Sequence, residues 1–121
     1  MRFDHFTVTL LELRPDAPVL DDATADELQD AHLAHLADLH DAGLLLAAGP
    51  VLGEPDRTLR GFSVWTIPPD EVRRVLEEHP DPAVVAGRLS QRVVPWMVPA
   101  GAVRGGHARF PRSMAEAESE G

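Results

Sequence analysis

The order of four strand-like and two helical segments constrains the fold of this 121-residue chain more than any other feature. Segments that alternate apolar with polar residues, or that are apolar and bounded by glycine, predict strands. These segments lie at 3–13, 44–49, 61–67 and 90–98. Strong helix formers without internal Gly or Pro predict helices at 22–42 and 70–79, and Gly43 ends the first of them.

This order, β-α-β-β-α-β, predicts an α+β fold, a ferredoxin-like sandwich in which both helices cover one face of a four-stranded antiparallel sheet. Pro95 cannot donate a ladder hydrogen bond, so the last strand is expected at an edge or a bulge. The uncovered face would carry alternating Phe, Val, Trp and Ile side chains, an apolar patch larger than monomers usually expose. We therefore expect a homodimer formed through that face, because two-fold dimers are the commonest closed oligomers.

One domain is expected at residues 1–103, followed by a C-terminal arm or disordered tail at 104–121. The tail has no apolar periodicity and ends in an acidic stretch. Within the domain, the polar residues 50–60 predict a connection between two strands. Asp81, followed by Pro82, is expected to cap a short helical turn.

The composition excludes several kinds of catalytic site. The chain contains no Cys, no Lys and no Tyr. Cysteine nucleophiles, zinc ribbons, lysine Schiff bases, lysine-dependent phosphate loops and phenolic acids are therefore excluded. Its four serines lie outside any G-x-S-x-G motif, which argues against a serine hydrolase. Histidine and carboxylate groups remain for proton chemistry.

The charge of the chain argues against two classes of partner. Twenty acidic residues against 11 Arg give a net charge of −9, and no basic stripe interrupts them. Nucleic-acid binding is not expected, because phosphate neutralisation supplies most of its affinity. Membrane association is not expected either, since no apolar run is long enough for a span and acidic surfaces disfavour anionic lipids. Charged residues break any N-terminal leader pattern, so a cytoplasmic location is expected.

Two histidines lie on the stripe of the first helix that is predicted to face the sheet. At about 100° per residue, this stripe contains Leu28, His32, His35, Leu36 and Leu39. The opposite side contains Asp30, Ala34, Ala37 and Asp41. A buried imidazole needs hydrogen-bond partners for both ring nitrogens, so these two histidines require an explanation.

Three interpretations of this pair are open. The histidines can be partly buried core residues that bond to backbone carbonyls. They can be a metal pair, with a third ligand from His5, His79 or Asp81. Alternatively, His32 can pair with Asp81 as an acid/base dyad, although Asp81 taken alone is more typical of a helix cap.

Several segments of the chain closely resemble the YciI-like (YCII-related) family. The similar segments are 29–36 (QDAHLAHL), 39–43 (LHDAG), 44–50 (LLLAAGP), 81–87 (DPAVVAG) and 94–96 (VPW). The resemblance covers roughly residues 3–100. A helix histidine, a Gly-Pro pair after the second strand and an Asp-Pro pair before the last strand together make this pattern fairly specific.

The resemblance implies a ferredoxin-like subunit of the dimeric α/β-barrel superfamily, with a site at His32 and Asp81. The known activity nearest to the family is elimination of chloride from a chlorinated hydroxyquinol. The wider superfamily includes muconolactone isomerases and cofactor-free monooxygenases. Many members carry Arg three residues before the helix histidine, where this chain has Gln29. An anionic substrate group would then need another arginine, such as Arg60 or Arg88.

We therefore expect an enzyme without cofactor or metal that transfers a proton on a small cyclic or aromatic molecule, in an elimination or isomerisation. His32 is the expected general base or acid, and Asp81 orients it. The expected substrate contacts are His35, Gly49, Pro50 and Arg60. The main alternative is a ligand-binding or accessory dimer in which His32 and Asp81 are only a structural pair. An oxygenase acting on an electron-rich aromatic is a further alternative.

Overall fold

The computed structural model describes residues 1–53 and 58–119. Within them the elements are β1 (Phe3–Leu13), α1 (Asp22–Asp41), β2 (Leu45–Pro50), β3 (Leu59–Trp65), α2 (Pro69–Glu78), α3 (Pro82–Val85), β4 (Leu89–Pro99) and α4 (Met114–Glu118). The four strands and the two long helices occur in the predicted order, and only α4 was not expected. Part of the connection predicted at 50–60, namely 54–57, lies outside the described residues.

The four strands form one antiparallel sheet in the order β2-β3-β1-β4. The helices lie on one face of it, so the predicted ferredoxin-like fold is confirmed. β4 is an edge strand and pairs with β1 along its whole length, with Pro95 opposite Thr7. An edge position tolerates the missing donor of Pro95, as the sequence predicted.

Helix α1 has a defined beginning and end. The carboxylate of Asp21 accepts a hydrogen bond from the backbone N–H of Thr24 at 2.7 Å, which is typical of an N-cap. Gly43 ends the helix with a φ of +79°, a conformation that glycine adopts without strain, and the chain turns directly into β2. Within the described residues no helix, α1 included, is long and apolar enough to cross a membrane.

The hydrophobic core lies between the two long helices and the sheet. Its buried cluster consists of Leu39 of α1, Leu45 of β2, Trp65 of β3 and Val72 of α2. Burying each of these side chains contributes about 1.5–3 kcal/mol, so the cluster holds both helices against the sheet.

Three polar side chains on β1 and β3 are buried beside this cluster: Thr7, Thr9 and Ser63. The hydroxyl of Thr7 donates to the carbonyl of Ile67 at 2.7 Å. The indole N–H of Trp65 donates to the hydroxyl of Thr9 at 2.9 Å. In the part of the chain that the structure describes, no buried side-chain nitrogen or oxygen lacks a hydrogen-bond partner. Burial of these groups is therefore compensated.

Residues 104–119, here called the arm, pack against the side of α1 that faces away from the sheet. The carboxylate of Asp30 accepts a hydrogen bond from the backbone N–H of Met114 at 2.8 Å. Arg112 forms ion pairs with Asp38 and Asp41. Ala37 lies between these acidic residues on the helix surface and is only 1% exposed. The helical pattern placed Ala37 opposite the stripe that faces the sheet, but it did not indicate that this side of α1 is packed as well.

The face of the sheet opposite the helices has no helix packed on it. Trp65 and Thr7 face the core, so their strand neighbours point the other way. Cross-strand pairs on this open face are Phe6–Trp96, Val8–Val64 and Leu10–Phe62. Phe62 is 40%, Trp96 38% and Val94 37% exposed. The open face is therefore the apolar patch that the alternating pattern predicted.

The candidate active site

Helices α1 and α3 bring His32 and Asp81 into direct contact across 49 residues of sequence. Nδ1 of His32 lies 2.7 Å from Oδ2 of Asp81. The other carboxylate oxygen, Oδ1, accepts a hydrogen bond from the backbone N–H of Ala83 at 2.9 Å and caps α3. The cap and the histidine partner, which the sequence presented as alternatives, are therefore both roles of Asp81.

The burial of this pair determines which atom of His32 can react. Asp81 is only 1% exposed, and an ionised carboxylate there accepts from both His32 and Ala83. Nδ1 of His32 then carries the proton and Nε2 carries the lone pair. Within residues 1–53 and 58–119, Nε2 has no hydrogen-bond partner. The arrangement leaves one basic nitrogen for a ligand.

His32 lines a cavity of about 620 Å³ between α1, the sheet, α3 and the arm, here called the site cavity. Small-molecule sites commonly have volumes of roughly 300–1,000 Å³. Gly49, Pro50 and Arg60, all predicted to contact a substrate, also line it. A Cβ built on Gly49 would meet no atom within 4 Å, but Gly49 pairs with Phe62, so this empty space lies on the open face of the sheet.

His35 lies outside the set of residues that line the site cavity. One helical turn from His32, it lies where the charges of Asp81 and His79 reach it. Burial lowers the pKa of His35 below its ordinary value of 6.5, and the negative charge of Asp81 opposes this change. The structure therefore does not bring His35 together with the other predicted substrate contacts.

The metal interpretation of the two histidines requires a third ligand. In the described part of the chain, no group of three or more His, Asp or Glu side chains is arranged to hold a metal ion. Nδ1 of His32 is bound to Asp81 at 2.7 Å.

The arm supplies lining residues that the sequence analysis missed, namely Phe110, Pro111, Met114, Ala117 and Glu118. Two signals could have identified an ordered segment here. Ser113 and Glu116 have the spacing of a capping box, and the Ser113 hydroxyl accepts from the backbone N–H of Glu116 at 3.1 Å. Phe110 and Met114 are also four residues apart, a spacing that puts two side chains on the same side of a helical turn.

Gln29 and Arg88, which the sequence analysis discussed as a departure and its replacement, also line the site cavity. Arg88 lies just before β4 and Arg60 lies in β3. Two arginines and the amide residue Gln29 therefore line the same cavity.

The chain matches no protein-family model and no curated protein. Among solved structures it is similar to a 5-chloro-2-hydroxyhydroquinone dehydrochlorinase from Burkholderia phenoliruptrix, in complex with 2,5-dihydroxybenzoquinone. The identity is 24% and the TM-score 0.48, over 75% of this chain and 92% of that chain. A dimeric protein of unknown function and ferredoxin-like fold from Bacteroides fragilis is 18% identical, with a TM-score of 0.41, over 78% and 95% of the two chains. Structural similarity at this level supports no conclusion about activity. Membership of the YciI-like family stays a prediction.

Proposed function

We propose that the protein is a cofactor-independent enzyme that transfers a proton on a small cyclic or aromatic molecule, in an elimination or an isomerisation. One observation carries the proposal: the buried Asp81 carboxylate binds Nδ1 of His32, Nε2 has no hydrogen-bond partner among the described residues, and His32 lines the site cavity. A carboxylate-oriented imidazole beside a cavity is the arrangement that general acid/base catalysis requires.

In the proposed reaction, Nε2 of His32 removes a proton from a C–H or O–H group of the substrate. The electron pair of that bond moves into the ring. In an elimination, the electron pair expels a leaving group such as chloride from a saturated ring carbon, and the imidazolium of His32 then gives its proton to water. In an isomerisation, the electron pair shifts a ring double bond and His32 returns the proton to another carbon. The imidazolium formed in between is stabilised by Asp81, which stays ionised and holds the ring in place.

The opposite wall of the site cavity supports binding of a polar ring substituent. Arg60 places a guanidinium on the β3 wall, and guanidinium groups bind phenolate or carboxylate oxygens well. Gly49 and Pro50 line the cavity at the end of β2.

A turnover assay with a matched variant tests this proposal. Native protein is incubated in D₂O with chlorinated hydroxyquinols, hydroquinones and unsaturated lactones, while chloride release and deuterium incorporation are followed. We expect turnover of at least one class, and its loss in His32→Gln with the melting temperature retained. His79→Gln is the control, because His79 is exposed and does not line the cavity.

Two results would contradict the proposal. Native protein that binds these compounds without any turnover indicates the non-catalytic binding module. If His32→Gln turns over substrate at the native rate, His32 is not the base, whatever the reaction is.

The proposed assembly is a two-fold homodimer formed through the open face of the sheet. The exposed side chains of Phe62, Val94 and Trp96 support it, since a second copy of the same face would remove all three from water. The rings of Phe6 and Trp96, with centroids 6.3 Å apart, form an aromatic centre for such an interface.

A further inference from the structure

The arm closes the site cavity on the side of β2. Phe110 packs against the core cluster, and its ring stacks on His40 with centroids 4.0 Å apart and planes 4° from parallel. His40 in turn bonds through Nδ1 to the carbonyl of Leu45 at 2.7 Å, so this contact lies at the start of β2. The arm is therefore part of the cavity at one edge of the sheet.

The dyad belongs to the other side of the same cavity. Asp81 caps α3, which leads into β4, and β4 is the edge strand opposite β2. Ala83 of α3 and Leu89 of β4 line the cavity there, whereas Met114 lines it on the arm. Met114 is attached at Asp30, two residues before His32 on α1, so the arm and the dyad line one continuous cavity along this helix.

The arm is held mainly by groups that do not line the cavity. The carbonyl of Ala108 lies 3.0 Å from Nε2 of His40, and Arg112 lies 2.8 Å from Asp38. Met114 donates its backbone N–H to Asp30. Its half-buried side chain lines the cavity, and the hydrogen bond to Asp30 does not depend on that side chain.

We propose that the arm selects the ligand of this site by size, with Met114, Phe110 and Ala117 as its apolar end wall. The proposed ligand is a phenol-type ring whose hydroxyl donates to Nε2 of His32 and whose apolar substituent lies against the arm. The position of the hydroxyl rests on the proposed function. The end wall rests on the lining residues and on the attachment of the arm.

Two features of the wall suit this ligand. Methionine is flexible and its thioether packs well against aromatic rings, so Met114 adapts to substituents of different shape. Removal of apolar atoms from a pocket wall changes the preference between small and large ligands by roughly tenfold or more. Size selection by the arm is therefore measurable with simple probes.

Calorimetric titration of the full chain with phenol, 4-tert-butylphenol and 4-phenylphenol tests the proposal. Met114→Ala removes apolar atoms from the wall but keeps the backbone N–H that Asp30 accepts. We expect it to raise the affinity for 4-phenylphenol relative to phenol by about tenfold. Ala117→Leu adds bulk to the same wall, and we expect the opposite change of similar size. Met97→Ala is the matched control, since Met97 is 54% exposed and does not line the cavity.

The proposal is overturned if neither Met114→Ala nor Ala117→Leu changes the ratio of the affinities for 4-phenylphenol and phenol. Native protein that binds none of the three phenols also overturns it. If Met114→Ala binds no phenol at all, Ala117→Leu decides: exclusion of 4-phenylphenol with retention of phenol supports the wall, and a native ratio contradicts it. These titrations measure binding only. If the affinity ratios shift but no substrate is turned over, the end wall is supported and the proposed catalysis is contradicted.

Discussion

Asp81 binds His32 with one carboxylate oxygen, at 2.7 Å, and caps its own helix with the other. The same buried group therefore organises a turn of the backbone and the basic nitrogen of the site. The two roles can be separated by substitution. The cap needs only the oxygen that accepts from Ala83, whereas the orientation of His32 needs a second acceptor facing Nδ1.

Asp81→Asn is expected to retain the fold and lose activity. The amide oxygen can still accept from Ala83, but the amide NH₂ then faces Nδ1 of His32 and favours the wrong tautomer. Turnover should fall by about 10²–10⁴-fold, the usual contribution of a general base. Circular dichroism and turnover of the same sample check both expectations. Asp70→Asn, at an exposed aspartate in the first turn of α2, should leave turnover unchanged.

Asp81→Ala is expected to be less stable than Asp81→Asn. It removes the cap of α3 and leaves the imidazole N–H of His32 without its acceptor. Together these losses cost about 1–3 kcal/mol of unfolding free energy. Urea unfolding of the two variants measures the difference, and equal stability would show that the cap contributes nothing.

Thr9→Val is expected to destabilise the core by about 1–3 kcal/mol, although it replaces a polar group by an apolar one of similar shape. The cause is the indole N–H of Trp65, which loses its acceptor in a buried position. Thr66→Val is the control. The hydroxyl of Thr66 donates to the carbonyl of Gly43 at 3.0 Å, but it is exposed and water can replace it. If urea unfolding shows that Thr9→Val and Thr66→Val lose equal unfolding free energy, burial of the Trp65 N–H is not the cause.

His35 is expected to make stability depend on pH. Burial lowers its folded-state pKa, so its contribution to stability is fully present above the unfolded value of 6.5 and is lost as pH falls through the folded value. The charges that reach it are those of Asp81, His32, Asp38 and His79. Native protein should therefore lose more stability below pH 6.5 than His35→Gln, which has no imidazole to protonate.

Thermal unfolding over a pH series measures this loss. His107→Gln, at an exposed histidine of the arm, is the control and should follow the native curve. A His35→Gln curve that also follows the native one would contradict the expectation.

Trp96→Glu is expected to dissociate the proposed dimer. It places a negative charge on the open face, among apolar side chains that a second copy would cover. Sedimentation velocity should show a monomer for Trp96→Glu and a dimer for native protein. Val19→Glu introduces the same charge in the exposed loop before α1 and should remain dimeric. A native monomer would rule out the assembly itself.

Local patterns predicted most of the fold because the signals that they use, alternation of apolar and polar residues and the positions of Gly and Pro, lie within single elements. The contact between His32 and Asp81 could not come from such patterns, since the two residues are 49 positions apart. The residues offered Asp81 only as one possible partner of His32, and the resemblance to a family favoured it. Helical periodicity placed Leu39 in the core correctly, but it did not indicate that Ala37 on the opposite side of α1 is buried too. The sequence left an arm and a disordered tail as alternatives, because the contacts of this segment with Asp30 and His40 join distant parts of the chain and leave no periodic signal.

The position of Met114 on the arm has a consequence for how this protein can diverge. Its side chain lines the cavity, while the hydrogen bond that Asp30 accepts comes from its backbone N–H, which every residue type except proline carries. Single replacements at this position can change what the cavity accepts and leave the proton-transfer machinery on α1 and α3 intact. A new substrate preference can therefore arise by a single substitution, and no inactive variant of the protein has to occur on the way.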